Sequence, residues 1–524
     1  MDCVALRRVV RPGVASGRGG RFAATMHPRL RTLVVGFVAA ILAVWIGYGI
    51  AQEQYLVAGC TLALCGWAGL SWLGGARAEA RILAFLLIAY IVGNRGFAQF
   101  TPLRGVPLFF GELGLVASLL FLVVAHMGQR ELPVRRDGLN YLLLLLIIFG
   151  SGRMAFDLRP HGVVALRDFA TIYYAAFFFV AQSVATQAAS RRLLVRALTV
   201  TFTLLPLTAL LFVAVPDFFF RYAAVRGVPL IHYKGDLLAI FLFAGFVWLV
   251  PRGRFEWTHA WRYAFALGSL VIAFYETSRA AIMGLAATLA WFAVARHFRL
   301  LAITGAVCVA GLVGTLFYAH LQGKEFSQTR AYAVVEHLQS VVDFSGTRTY
   351  RNLDTADSGE NNQYRLVWWR MLARETLADG LLLGLGFGHD LSHGFVRVYY
   401  PTLDEDFAVR SPHSILFTWF GRMGTTGLLL GLGIIGLIAR ETWRRAVRHR
   451  RDPTGRTGED LALFGVCWVV LVGACFGVVL EGPMGAIPFW TILGFVHGEL
   501  APPPAPPAPA ETDAGAPTEA VPAA

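Results

Sequence analysis

Charged residues are scarce in this sequence. Only 15% of its 524 residues are Asp, Glu, Lys or Arg, whereas 56% are hydrophobic. A soluble globular domain typically carries about 25% charged residues. The chain therefore lacks the charge to cover a large water-facing surface, which excludes an ordinary soluble domain.

Cysteine is also sparse, and its placement excludes two kinds of site. One of the six cysteines, Cys3, lies in the N-terminal tail. The other five lie inside apolar runs: Cys60, Cys65, Cys308, Cys467 and Cys475. The longest polar segment, 320–411, contains none. The pattern indicates neither a disulfide framework nor a cysteine-based zinc site.

Positive charge predominates, with a formal net charge of +13. Its placement argues against a nucleic-acid partner, because the arginines form short clusters between apolar runs, as the rule for membrane orientation predicts. The richest cluster is 440–456. With the N-terminus inside, this cluster and those near 130–136, 191–196 and 252–254 all fall in the cytoplasm. The same arrangement predicts a cytoplasmic C-terminus.

Apolar runs near the length needed to cross a bilayer, about 20 residues, recur along the chain. They predict an all-α, polytopic integral membrane bundle of about 12–14 transmembrane helices. The runs are near 32–50, 54–73, 81–99, 107–127, 139–150, 165–187, 195–215, 236–250, 261–277, 279–296, 300–319, 412–439, 461–480 and 484–499.

The polar segments divide the chain. The predicted organisation is a basic N-terminal tail (1–31), a first group of transmembrane helices (32–319), a large periplasmic loop (320–411), C-terminal transmembrane helices (412–500) and a disordered Pro/Ala tail (501–524). The N-terminal tail lacks a small-residue cleavage site, and we expect translation to begin at Met26. Within the loop we expect helices near 327–342 and 362–379, with an irregular acidic stretch between them.

Three polar clusters converge on the predicted outer face. They are Ser278-Arg279, the run Asn362-Gln363-Tyr364-Arg365, and Ser411-Pro412-His413-Ser414. Each has a structural interpretation of its own. Arg279 could anchor a helix end at the headgroups, Arg365 could be one charge on a solvated helix face, and His413 could cap a helix.

Taken together, the clusters resemble the motifs of a known superfamily. His413-Ser414, nine residues and then Gly424-Thr425-Thr426-Gly427 fit the His-[Asn/Ser/Gln]-x9-Gly-x-x-[Gly/Thr/Tyr] pattern of O-antigen ligases. Ser278-Arg279, and the run from Arg365 and Trp369 to Gly384-Leu385-Gly386-Phe387-Gly388, are similar to signatures of the wider O-antigen ligase and polymerase superfamily. Two features depart from it: Ser414 replaces the commoner Asn, and Tyr233-Lys234-Gly235-Asp236 stands where many relatives carry Pro-Asn.

The resemblance implies a bacterial inner-membrane glycosyltransferase that acts at the periplasmic face. Its donor would be a glycan on undecaprenyl diphosphate, and its acceptor a hydroxyl of a glycan, lipid or protein. Arg279 and Arg365 would stabilise the leaving diphosphate, because arginine binds phosphate bidentately and stays charged. His413 would act as the base. Arg226, Ser278, Tyr364 and Ser414 are the candidate substrate-binding residues.

The resemblance also implies an inverting transfer without a metal or other cofactor. A triplet that could hold a metal, Asp404-Glu405-Asp406, lies in the last large loop and is interpreted as a solvated acidic turn. Two alternatives stay open. One is a repeat-unit polymerase or an O-linked oligosaccharyltransferase of the same superfamily. The other is a lipid-linked glycan transporter, which would carry charged or broken helices near the bilayer midplane.

Overall fold

The computed structural model describes residues 75–101, 109–126, 134–225, 227–250, 256–341, 343, 353–399 and 411–498. This part of the chain is almost entirely helical. The helices are α1 (Ala78–Val92), α2 (Asn94–Ala98), α3 (Phe110–His126), α4 (Gly138–His161), α5 (Val163–Tyr173), α6 (Ala176–Ala185), α7 (Ala188–Ala214), α8 (Pro216–Arg221), α9 (Gly235–Leu249), α10 (Ala260–Tyr275), α11 (Arg279–Val294), α12 (Arg299–Leu321), α13 (Arg330–Val341), α14 (Leu353–Asp379), α15 (His393–Tyr399), α16 (Ile415–Arg451), α17 (Gly455–Cys475) and α18 (Pro483–Gly498).

Short elements complete the described chain. Two 3-10 turns cover Trp257–His259 and Phe326–Gln328. The strands β1 (Ala224–Val225) and β2 (Val228–Pro229) pair as an antiparallel hairpin. Arg226, a predicted substrate-binding residue in the turn between them, lies outside the described residues.

The predicted class of fold is confirmed. Among the described residues, six helical segments are long and apolar enough to cross a membrane: Gly138–His161, Val163–Ala185, Ala188–Ala214, Arg299–Leu321, Ile415–Arg451 and Arg456–Cys475. Each predicted span from 81–99 onward coincides with one helix or a consecutive pair. The chain is a polytopic helical membrane protein. The predicted count of 12–14 spans stays a prediction, since 32–50 and 54–73 lie outside the described residues, as do both tails and Met26.

Helix α9 lies in the interior of the bundle. Every residue from Leu237 to Leu249 is buried, and the helix packs against α7, α10, α11 and α17. By contrast, only 6% of the apolar window in α12 is buried within the protein. Because a helix satisfies its own backbone hydrogen bonds, an exposed apolar helix such as α12 is suited to contact lipid.

The connections between helices fall at two ends of the bundle. At one end, Arg135 donates to the carbonyl oxygen of His497, and an Arg191 nitrogen lies 3.7 Å from a Glu459 oxygen. At the other end, the Asn94 side chain accepts from the backbone N–H of Lys234 at 3.2 Å. The second end also carries the long polar loop. The arginine clusters at Arg135, Arg191 and 440–456 therefore lie at the end opposite this loop.

The polar loop is more helical than the sequence predicted. Helix α13 agrees with the expected helix near 327–342, but α14 begins at Leu353 instead of near 362. The prediction of an irregular stretch up to 361 was therefore wrong over its last residues. Tertiary contacts favour the long helix, since α14 packs against α13, α15 and α16. The buried side chains of Trp368, Leu372, Leu391 and Phe395 form the small core of the loop.

The glycine-rich run 384–388 inserts into a break in α16. Gly424 within that helix has non-helical angles, φ 66° and ψ −159°. At this break, the N–H of Thr425 donates to the carbonyl of Leu381 at 2.8 Å, and the N–H of Leu385 donates to the carbonyl of Gly421 at 2.7 Å. The break frees backbone groups of α16 to bond to the loop. This explains why glycine occurs at the tenth position after Ser414.

We expect Gly424→Ala to lower the thermal unfolding midpoint of the purified protein. A Cβ at residue 424 would lie 2.6 Å from the carbonyl carbon of Leu382, and the positive φ would cost alanine about 1–3 kcal/mol. A thermal melt in detergent measures the change. Gly436→Ala in the same helix is the matched control, because a Cβ there meets nothing within 4 Å. Equal midpoints for the two variants would contradict the prediction.

Candidate active site

Arg279 is the first residue of α11 and reaches the polar loop. The turn before the helix is tight, with φ 50° at Thr277. Ser278 caps the helix, its Oγ accepting from the N–H of Ala281 at 3.4 Å. The Arg279 guanidinium donates to Asn362 Oδ1 at 2.8 Å. Arg279 is thus directed at α14, and Ser278 has a local role in starting the helix.

Arg365 lies one helical turn after Asn362 on α14. Its Nη1 donates to the carbonyl oxygen of Phe476 at 2.8 Å, which ties α14 to the loop before α18. Its Nε is buried and has no hydrogen-bond partner among the described residues. Burial lowers the pKa of the Arg365 guanidinium, an effect that the Asp236 carboxylate opposes. A guanidinium with unused donors is suited to bind a phosphate oxygen.

His413 lies just before α16 in a strained conformation, with φ 56°. Its backbone N–H donates to Ser411 Oγ at 3.2 Å, and its ring meets Trp368 edge to face at 5.9 Å between centroids. The ring Nδ1 is buried without a hydrogen-bond partner among the described residues. Because non-glycine residues with positive φ often occur at functional sites, the strain makes His413 a candidate functional residue.

The surroundings of His413 favour its neutral form. Burial lowers its pKa to about 4, and the positive charges of Arg365 and Lys234 contribute. The Asp236 carboxylate acts in the opposite direction. At neutral pH the imidazole is therefore uncharged and able to accept a proton.

Lys234 and Asp236 belong to this site, although the sequence analysis predicted no role for either residue. Lys234 Nζ lies 3.3 Å from Asp236 Oδ2 at the start of α9. The charges of both residues act on His413. The sequence feature that could have indicated these two residues is the segment Tyr233–Asp236, which stands where many relatives carry Pro-Asn. Lys234 is also one of only two lysines in the chain, with Lys324.

Glu481 is a third residue for which the sequence analysis predicted no role. Its Oε1 accepts from Thr418 Oγ1 at 2.6 Å, and Ser411 also hydrogen-bonds to the carboxyl group. Burial raises the pKa of Glu481, an effect opposed by these hydroxyl groups and by the charges of Arg422 and Lys234. Glu481 is thus linked through Ser411 to the backbone of His413.

Of the other predicted site residues, Tyr364 is half-buried and Ser414 is buried. The Tyr364 ring packs edge to face on Phe395, with 4.6 Å between centroids. Ser414 is 2% exposed and precedes α16, but its side chain makes no capping hydrogen bond. Neither His413 nor Ser414 caps the helix by a side chain. The geometry brings Arg279, Arg365 and His413 to the same end of the bundle, and it leaves Tyr364 in the core of the loop.

The glycine-rich run is held by aspartates. The N–H of Phe387 donates to Asp157 Oδ2 at 2.8 Å, and the N–H of Gly388 donates to Asp168 Oδ2 at 2.9 Å. Arg422, which is 3% exposed, pairs with Asp168 at 2.9 Å and donates to the carbonyl of Gly386 at 3.0 Å. Because carboxylates occupy these N–H groups, the run acts as a structural clamp and not as a phosphate-binding loop.

Two cavities adjoin the site. The smaller has a volume of about 150 Å³ and a polar lining that includes Ser411, Thr418 and Glu481. The larger has a volume of about 810 Å³ and also reaches Glu481. No group of three or more His, Cys, Asp or Glu side chains that could hold a metal ion occurs among the described residues. The triplet 404–406 lies outside them, so metal independence stays a prediction.

The fold and this site define a multi-pass membrane protein with a cluster of His, Arg and Lys at one end of its helices. Residues 263–432 match the protein-family model described as O-antigen ligase. The match includes Arg279, Arg365, His413 and the glycine motif after it. It confirms the resemblance to the O-antigen ligase and polymerase superfamily. No curated protein matches the chain.

Proposed function

We propose that this protein transfers a glycan from undecaprenyl diphosphate to an acceptor hydroxyl, at the periplasmic face of the bacterial inner membrane. The observation that carries the proposal is the pairing of a neutral imidazole, His413, with the nearby cations Arg365 and Lys234. A base and a cationic phosphate site are the two parts that such a transfer needs. The family match supports glycan ligation or polymerisation as the class of activity.

The proposed reaction is a single displacement. The acceptor oxygen attacks the anomeric carbon while its proton passes to His413, and the bond from that carbon to the diphosphate oxygen breaks. The bonding electrons leave with the diphosphate, whose charge Arg365, Arg279 and Lys234 stabilise. One displacement inverts the configuration of the anomeric carbon. The diphosphate is already a good leaving group, so the paired carboxylates of a glycosidase are unnecessary.

The location of the charged groups argues against a transporter. A transporter site is expected near the bilayer midplane, at broken helices. Here Arg279, His413 and Lys234 flank the ends of α11, α16 and α9. This location favours chemistry on a substrate at the membrane surface.

The decisive experiment uses a strain that lacks this protein. We expect the long glycan to accumulate on its lipid carrier at the periplasmic face, and the acceptor to stay unmodified on a gel. Accumulation of single repeat units on the carrier would instead identify a polymerase. Intermediates trapped at the cytoplasmic face would identify a transporter and overturn the proposal.

The pH dependence of transfer should follow the charges around His413. A base works only when it is neutral, so activity should be present above its pKa, about 4, and be lost as the pH falls through that value. Lys234→Met removes a charge that lowers this pKa and should move the acidic limb to higher pH. Asp236→Asn should move it to lower pH. The measurement is kcat/KM against pH, and shifts of the opposite sign would contradict the assignment.

A further inference from the structure

The larger cavity lies beside the candidate active site at the same end of the bundle. Its walls come from the segments 95–101, 163–174 and 478–484, together with Phe109 and Glu112. Its volume of about 810 Å³ falls within the range of roughly 300–1,000 Å³ that is usual for small-molecule sites. It shares Arg167, Val478 and Glu481 with the smaller cavity. The two cavities therefore adjoin.

A carboxylate held by two tyrosines lies in its wall. Glu112 Oε1 accepts from Tyr173 Oη at 2.8 Å and from Tyr174 Oη at 2.5 Å, and Oε2 accepts from the N–H of Phe109 at 3.1 Å. These contacts fix the carboxylate. Oε1 already accepts two hydrogen bonds, whereas Oε2 accepts one and has a second lone pair that can accept another. Aromatic faces beside a fixed carboxylate suit a saccharide, which offers apolar C–H faces and donating hydroxyl groups.

Two arginines add donors to this cavity. Arg95 and Arg167 are both exposed, and both contribute to the lining. Neither forms an ion pair with another residue in the part of the chain that the structure describes. Each guanidinium can donate to sugar hydroxyls or to acidic groups on a sugar. A purely hydrocarbon occupant would desolvate these groups without replacing their hydrogen bonds.

The cavity and the candidate phosphate-binding cations involve different residues. None of Arg279, Arg365 and Lys234 is among the described residues that line either cavity. The link from the cavity to His413 runs through Glu481 and Ser411, since Ser411 hydrogen-bonds to Glu481 and accepts the N–H of His413. A base for a displacement must contact the attacking hydroxyl, and the leaving diphosphate must lie on the other side of the anomeric carbon.

We infer that the larger cavity binds the saccharide end of the acceptor, with Glu112, Arg95 and the aromatic side chains as its recognition groups. The inference rests on the proposed function and adds the location of the second substrate. Glu481, Ser411 and the smaller cavity then lie between the bound acceptor and His413.

The test is steady-state kinetics with the full-length protein in detergent. Lipid-linked glycan and unmodified acceptor, both extracted from a strain that lacks this protein, are the two probes. Leu166→Trp fills the cavity, because Leu166 lines it and is 46% exposed. We expect the KM for acceptor to rise at least tenfold while the KM for donor stays within twofold. Leu158→Trp is the matched control, at 45% exposure and outside the cavity lining.

A second variant distinguishes weaker binding of the acceptor from an effect of misfolding. Arg95→Gln changes an exposed side chain and should raise the KM for acceptor several-fold, again without affecting the donor. A rise in the KM for donor, or no change for either substrate in both variants, would overturn the inference. Failure of the proposed function would give a different result, because His413→Ala would then also leave transfer intact. A raised KM for acceptor in the two cavity variants, together with an inactive His413→Ala protein, supports both proposals.

Discussion

Replacing His413 by alanine is expected to reduce glycan transfer by about 10²–10⁴-fold, the usual contribution of a positioned general base. The expectation rests on the neutral imidazole, whose Nδ1 lacks a hydrogen-bond partner among the described residues. Because the loss affects the chemical step, kcat should fall while the KM for each substrate changes little. Initial rates of transfer between extracted donor and acceptor measure both quantities.

The control for this variant is another histidine of the polar loop. His393 is exposed at the start of α15, and His393→Ala should leave the rate unchanged. The substitution does not relieve the backbone strain at residue 413, since alanine at φ 56° is also strained. A thermal melt therefore accompanies the rates. Retention of wild-type kcat by a folded His413→Ala protein would remove His413 from the mechanism.

Replacing Arg365 by lysine should reduce transfer by about 10²–10³-fold, comparable to the loss of one donor to a developing negative charge. Lysine retains the positive charge but not the planar group that binds phosphate oxygens in pairs. It also loses the geometry of the contact from Arg365 Nη1 to the carbonyl of Phe476, at 2.8 Å. The same kinetic assay measures this effect, with binding of the lipid-linked donor followed separately.

Arg370→Lys is the matched control for that substitution. Arg370 lies on the same helix, α14, but its side chain is exposed. It should tolerate lysine with no more than a small change in rate. Equal activity of the two lysine variants would mean that charge alone suffices at residue 365, and that the guanidinium does not bind the diphosphate in pairs.

The glycine-rich run 384–388 matches a recognised sequence pattern, but the pattern does not reveal what the run does. The run 384–388 has the composition of an anion-binding loop, yet its N–H groups bond to Asp157 and Asp168. Those aspartates lie more than 200 residues earlier in the chain. Their pairing with the run follows from the packing of α4, α5 and α16, so no local pattern reveals it. In this chain the run joins the loop to the bundle.

The sequence by itself predicted the class of fold and the apolar runs that coincide with the described helices, because the bilayer imposes a length and an apolar composition that are local properties of the chain. It also singled out Arg279, Arg365 and His413, whose residue types and spacing resemble the O-antigen ligase motifs and which lie within the matched residues 263–432. Their chemical roles stay predictions.

Only the tertiary structure decided which groups meet. Arg365 bonds to Phe476, 111 residues away, and Lys234 and Asp236 act on His413 from a different helix. Glu481 reaches Thr418, 63 residues away, and also Ser411. Electrostatic effects depend on distance and burial in space, and helix packing, not order along the chain, fixes both.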